Sequence, residues 1–216
     1  MISLTATQLI DILSITEQRA VVWQPHLEAA LARFDIDSPL RAAHFIAQIG
    51  HESGRLRFVR EVWTNSLTQQ SYEMAGRLGN TEPGDGQRFM GRGPMQLTGR
   101  KNYTLFSAYT GIDFVAQPQL LERIDYGALC AGWFWKFGAG QNLGNKALLA
   151  LAPLGFGAGV DLNAIADLND IETITLCING GLNGYADRME LFRRAHNVFM
   201  PHEPTDDELK WERQHE

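Results

Sequence analysis

Two glutamates nine residues apart, Glu52 and Glu61, precede the octapeptide Gly91-Arg92-Gly93-Pro94-Met95-Gln96-Leu97-Thr98. A pair of carboxyl groups is what hydrolysis of a glycosidic bond needs. One protonates the leaving oxygen, and in an inverting enzyme the other activates a water on the opposite face of the sugar. Glycine, arginine and proline side by side make a poor helix and a poor central strand. The octapeptide therefore reads as a constrained loop or short edge strand that delivers Arg92, Gln96 and Thr98 close together. Glu73 is the nearest competitor for the second carboxylate. His51-Glu52 could suggest zinc, but the H-E-x-x-H pattern fails because Arg55 stands at the second histidine position. No metal and no cofactor is expected.

The elements that must position these groups read as mostly helical. Leu9, Ile12 and Leu13 mark a first amphipathic helix with Thr7 as its cap, and Pro25 opens a second helix running towards Phe34. Ser38-Pro39 opens a third, whose buried stripe is Ala42, Phe45, Ile46 and Ile49. That helix ends near Gly54, so Glu52 falls in its last turn within an apolar setting. A change of direction after Gly54 would let Glu61 face Glu52 across a cleft. The stretch from Asn80 to Gly93 reads as loop, and Pro118 opens a further helical stretch. Tyr126 to Phe137 is an apolar helix in which Trp133 and Trp135 are core, and Asp170 or Thr173 caps a helix through Cys177. Tyr185 to Phe199 forms the last core helix. Thr205-Asp206-Asp207-Glu208 is a capping box, so 201–216 is expected to be an acidic tail with a short helix beyond a catalytic domain of 1–200. No internal repeat is visible.

At 216 residues the chain can bury one core without disulfides or metal. A net charge of -6 argues against nucleic-acid binding and predicts no attraction to an anionic wall. Arg55, Arg57 and Arg60 could supply a local basic patch. Cys130 and Cys177 read as buried free thiols. The N-terminus shows no secretory signal, and no apolar run reaches the roughly 18 residues that span a bilayer. The apolar Ala147–Val160 stretch reads as packed on the core rather than touching membrane. Trp63 and Tyr103 lie beside the chemistry-bearing motifs and could offer flat faces to a pyranose ring.

These motifs resemble glycoside hydrolase family 19, which comprises plant-type chitinases and bacteriophage endolysins of lysozyme-like fold. His51-Glu52-Ser53 is similar to the motif carrying the general acid, and the spacing to Glu61 is that of the endolysin branch, where the second carboxylate is the general base. Thr98 takes the place of the residue that holds the attacking water. Asn102 and the asparagine of Ile178-Asn179-Gly180-Gly181 match sugar-binding asparagines, and Asp187-Arg188 matches the arginine that steadies the network. After Glu61 the chain departs from the endolysin pattern, reading Val62-Trp63-Thr64-Asn65-Ser66, and Lys146–Val160 has the look of an insertion. The resemblance implies a mainly α, lysozyme-like single domain with a catalytic cleft between helical lobes. Glu52, Glu61 and Thr98 would be catalytic; His51, Trp63, Arg92, Gln96, Asn102, Tyr103, Asn179 and Arg188 would bind substrate. It further implies a monomeric endolysin cutting the β-1,4-linked amino-sugar strands of peptidoglycan with inversion. Such a protein is made in the bacterial cytoplasm, does not insert stably into membrane, and reaches the periplasmic wall by holin-type release or by delivery. A chitinase shares the motifs. A catalytically silent sugar-binding module on the same fold is disfavoured by the intact Glu52, Glu61 and Thr98.

Overall fold

In the computed structural model, residues 2–139 and 143–201 are described. Side-chain caps start the first three helices. Thr5 accepts from the Gln8 N–H and its own N–H donates back to the Gln8 side chain, a capping box that opens α1 (Ala6–Leu13). The cap is therefore Thr5 and not Thr7, because the box partner must stand at the third helical position. Thr16 caps α2 (Glu17–Arg33), so this helix begins eight residues before Pro25, which lies inside it. Proline there removes a hydrogen bond to Val21, and Val21 lies on the exposed face, where water can replace it. Ser38 caps α3 (Pro39–Glu52) with Pro39 in its first turn, as the sequence predicts, and Ala42, Phe45, Ile46 and Ile49 are all fully buried.

Two one-turn helices, α4 (Leu67–Gln70) and α5 (Asp85–Arg88), interrupt the segment between Glu61 and Gly91. The second falls in the stretch expected to be loop; there Asp85 is buried and forks onto Arg100. Next come α6 (Arg100–Thr110), a 3₁₀ turn opened by Pro118, and α7 (Ile124–Trp133), which widens into a π-turn over Phe134–Gly138. The described residues end with α8 (Asn145–Leu151), α9 (Leu162–Asp167), α10 (Ile171–Asn179) and α11 (Tyr185–Phe199). Asp170, not Thr173, caps α10.

The longest helix–helix interface joins α3 to α11, and α2 packs on α7. Phe45 of α3 meets Trp135 edge-on at 5.5 Å between ring centroids, and Trp133 and Trp135 are both core. Cys130 and Cys177 are buried free thiols, both pushed up by desolvation, Cys177 to about 12. In the apolar stretch after Lys146, Ala147, Leu151 and Val160 pack inward while Leu149 is exposed. No helix of the described residues is long and apolar enough to cross a membrane. Thr205–Glu208, where a tail helix is expected, lies outside the described residues.

Candidate active site

Glu52 is the last residue of α3. The apolar setting expected around it is not what the structure shows, for its Oε1 accepts from the Nη2 of Arg188 on α11 in an ion pair. Arg188 is fully buried, and each guanidinium nitrogen has a partner. Nη1 donates to Gln48 Oε1 at 2.5 Å and Nε to the Asn183 carbonyl at 3.3 Å. Gln48 in turn donates to Thr175 Oγ1 at 3.2 Å, and Thr175 donates to the Ile171 carbonyl of α10 at 2.8 Å. A buried cation is tolerable only when paired and hydrogen-bonded throughout. The relay meets that condition and turns Glu52 Oε1 inward. Arg188 thus positions Glu52. With no exposed surface it cannot touch a sugar, which corrects its expected substrate-binding role.

One residue before Arg188, Asp187 holds the end of α3 through His51 and the residue Arg55 beyond it. It accepts from Arg55 at 2.5 and 3.2 Å and from His51 Nδ1 at 2.7 Å. Arg55 first, then His51, holds the Asp187 carboxyl below its usual range despite partial burial. Gly184 passes directly over the imidazole: a Cβ there would lie 2.1 Å from His51 Cε1. His51 is therefore anchored between α11 and Glu52.

The change of direction after α3 is a run of three left-handed residues, Gly54, Arg55 and Leu56, with φ of +56°, +61° and +59°. Each non-glycine there costs about 1–2 kcal/mol. Burial of Leu56, its N–H bond to Ser53 Oγ at 2.7 Å and the Arg55–Asp187 pair offset this. The turn leads into an antiparallel bridge between Arg60 and Arg92, which docks Glu61 on the octapeptide. Glu61 N–H donates to the Gly91 carbonyl at 2.9 Å, and Gly91 N–H donates to Glu61 Oε2 at 3.1 Å. Gln69 donates to Glu61 Oε1 at 3.0 Å and to the Val62 carbonyl at 2.8 Å.

The octapeptide is the narrow turn that its composition predicts, with Arg92 and Leu97 exchanging backbone bonds of 3.2 and 2.8 Å. It brings Thr98 and Gln96 beside Gly91. A Cβ at Gly91 would stand 2.8 Å from Gln96 Oε1 and 3.4 Å from Thr98 Oγ1. Glu61, Gln96 and Thr98 therefore converge on one glycine. Asn102 is buried and donates to the Thr98 carbonyl at 2.9 Å, holding that residue from behind. Glu73 instead accepts from the N–H groups of Gly84 and Gly86, as the anchor of that turn.

Two expected sugar contacts are interior groups. Arg92 is buried, bonded to Glu122 at 2.9 Å, to the Arg88 carbonyl at 2.8 Å and to Tyr103 at 3.0 Å. Tyr103 is fully buried and donates to the Met90 carbonyl at 2.8 Å. These two hold the octapeptide from below. The phase of α6 turns Tyr103 inward, so it presents no face to a ring. Trp63 is half-exposed and lies 6.4 Å from the Tyr72 ring, a geometry open to stacking. Asn179 is exposed at the end of α10. The basic patch is mostly spent: Arg55 pairs with Asp187, Arg57 lies over the Phe58 ring, and Arg60 reaches towards Glu122 at 3.9 Å. Among the described residues no cluster of His, Cys, Asp and Glu is arranged to hold a metal ion.

Sequence reasoning missed Gln48 and Gln69. Gln48 stands one turn before Glu52 and one turn after His44, among the otherwise apolar buried residues of α3, a placement that itself signals a satisfied polar role. Gln69 closes a Ser66-x-x-Gln69 capping box, a recognisable helix start next to Glu61.

The helical fold thus holds one carboxylate, Glu52, on a buried arginine and a second, Glu61, on a glycine-rich turn. No family model matches the chain. It is similar to a glycosyl hydrolase family 19 domain-containing protein of Haemophilus influenzae, 29% identical over 194 residues, covering 77% of this chain and 84% of that one. It is also similar to basic endochitinase B of Arabidopsis thaliana, 32% identical over 123 residues, covering 53% of this chain but 36% of the plant protein. In fold it is similar to chitinase C from Streptomyces griseus, with a TM-score of 0.68 and 20% identity over 91% of this chain and 92% of that one. The chain is thus similar in sequence to a family 19 glycosyl hydrolase protein and has the mainly helical, lysozyme-like fold of the family 19 chitinases.

Proposed function

We propose that the protein hydrolyses the β-1,4 glycosidic bonds of peptidoglycan by single-displacement, inverting chemistry, in the manner of an endolysin. The observation that carries the chemistry is the pair of oppositely built carboxylate sites, Glu52 on Arg188 and Glu61 on Gly91 N–H and Gln69. Glu52, with one oxygen turned inward, offers the other to protonate the leaving glycosidic oxygen. Glu61 takes a proton from a water that Thr98 Oγ and Gln96 Oε1 help to hold. The water attacks the anomeric carbon as the bond to the leaving oxygen breaks, and the product carries the inverted configuration. Both side chains are held by neighbouring groups before substrate arrives, which is the positioning such a reaction needs.

The Glu52–Glu61 spacing, which resembles that of the endolysin branch, supports the wall as substrate. The names of the plant relatives and of the structural neighbours favour a second reading, chitin, whose β-1,4-linked N-acetylated sugars suit the same chemistry. Turbidity of outer-membrane-permeabilised Gram-negative cells, run beside release of reducing sugar from chitin, decides between them. Lysis with new reducing ends on muramic acid or glucosamine supports peptidoglycan; chitin cleavage without lysis overturns it. As an endolysin the protein would act as a monomer on the periplasmic wall after release or delivery from the cytoplasm.

A further inference from the structure

Beside the candidate active site lies a groove of about 680 Å³ between the turn at Gly76–Leu78, the start of α6 and the end of α10. Arg77 and Lys101 line it together with Leu78, Leu176, Asn179 and Gly180, and among the described residues no aspartate or glutamate does. In a chain of net charge -6 a depression lined by cations alone is unusual. Arg77 is exposed and makes no ion pair or hydrogen bond among the described residues. Its position is fixed by the turn's tight seat on α6, since a Cβ at Gly79 would lie 2.7 Å from Lys101 Cβ. The groove adjoins the segment that carries Thr98, since a Cβ at Gly99 would lie 2.6 Å from the Leu78 carbonyl oxygen. Lys101 is three residues after Thr98 and next to Asn102. The phenol of Tyr72 is raised by burial and then by Glu61, and lowered by Arg77, so it lies within electrostatic reach of both.

We propose that this groove recognises the carboxylates carried by side branches of the glycan strand, with Arg77 and Lys101 as the specificity-determining cations. This rests on the reading of the site as glycan-cleaving. A strand of plain N-acetylglucosamine is neutral and has nothing to offer two cations. Peptidoglycan carries a carboxyl-bearing ether on alternate sugars, extended by an acidic peptide. Strand hydroxyls near Asn179 and a branch carboxylate near Arg77 would be read by adjacent groups, which fixes the register of the strand relative to Glu52 and Glu61. The groove is open, so each exposed charge contributes modestly, on the order of 0.5 kcal/mol, and the two together about a fivefold preference.

The test measures binding, so that it does not depend on which glycan is cut. Calorimetry on the full chain carrying Glu52→Gln compares a carboxymethylated N-acetylglucosamine hexamer with the unmodified hexamer at low salt. The anionic hexamer should bind about fivefold more tightly, and Arg77→Gln with Lys101→Gln should erase that ratio. Raising the salt to 0.5 M should shrink it, because exposed charges are screened. Thermal melting of the variant guards against misfolding, and the single Arg77→Gln change, on an exposed residue, should lower the ratio by about half as much. A ratio near one in the parent chain, or a ratio that survives neutralisation, overturns the proposal. Failure of cell lysis with the ratio intact would overturn the peptidoglycan reading alone.

Discussion

Replacing Gln48 with methionine keeps the length of the side chain and removes its hydrogen bonds. In the structure Gln48 Oε1 is the acceptor for Arg188 Nη1, and its amide donates to Thr175 Oγ1. Thr175 keeps its bond to the Ile171 carbonyl, so it loses little. The cost falls on Arg188, which is left with a buried N–H of a charged group unpaired. That is worth about 2–3 kcal/mol, the upper end for an orphaned donor. For a chain of this size it lowers Tm by about 4–12 °C. The functional effect is separate. Freed from Gln48, the guanidinium can turn and take Glu52 Oε1 with it, and a small misplacement of a catalytic group costs on the order of tenfold or more in rate. We expect kcat to fall about tenfold with KM changed less than twofold, at a temperature where the variant is fully folded. In a Glu52→Gln background the same change should cost no further activity, because the group it positions is already lost. Loss of stability with full kcat would refute the relay and leave Gln48 a packing residue.

Thr98→Ala and Glu61→Gln should each cut the hydrolysis rate, and the double variant should lose much less than the product of the two, because groups holding one water act as a unit; strict additivity would make Thr98 structural. Trp63→Ala should raise KM about 3- to 10-fold with Tm unchanged, whereas Tyr103→Ala should lower Tm and leave KM of the folded fraction alone; the reverse pattern in melting and kinetics would contradict the placement of the two rings. His44 is fully buried, stacked on Phe192 at 4.2 Å, bonded through Nε2 to Asn169, with Nδ1 unpartnered and Asp170 and His196 nearby. Burial lowers its pKa from 6.5 to about 4. The unfolded chain therefore takes up the proton first, so stability is complete above pH 6.5 and declines as pH falls towards 4, by about 2 kcal/mol at pH 5. Urea unfolding at pH 7.5 and pH 5 should show that increment in the parent chain and lack it in His44→Gln; equal increments would assign the acid sensitivity elsewhere.

What was legible in the sequence follows from what local chemistry controls. Ser38-Pro39, the stripe of α3 and the span of α11 depend on caps and a 3.6-residue period, and all three appear where predicted. Pro25 misled because a proline tolerated on a solvent-facing helix side looks, in sequence, the same as one that starts a helix. The octapeptide was recognisable as a special turn, yet Arg92 and Tyr103 could not be sorted from Gln96 and Thr98 by type. Which of these polar groups faces the cleft depends on how α6 rotates under the turn, a tertiary fact. The setting of Glu52 was misread for the same reason: neighbours on its own helix are apolar, but its partner Arg188 comes from a helix 136 residues away.

On the proposed mechanism Glu52 and Glu61 work as acid and base across one glycosidic bond. Proton NMR during the first minutes of hydrolysis reads it most directly, with a soluble peptidoglycan fragment or N-acetylglucosamine hexamer as substrate and Glu52→Gln as the control. The wild-type chain should first release the α-anomer from the β-linked strand, with equilibration only afterwards. Glu52→Gln should slow release by at least about 100-fold while melting near the wild-type temperature. A β-anomer as first product, or a Glu52→Gln chain that retains half its rate, would contradict that mechanism.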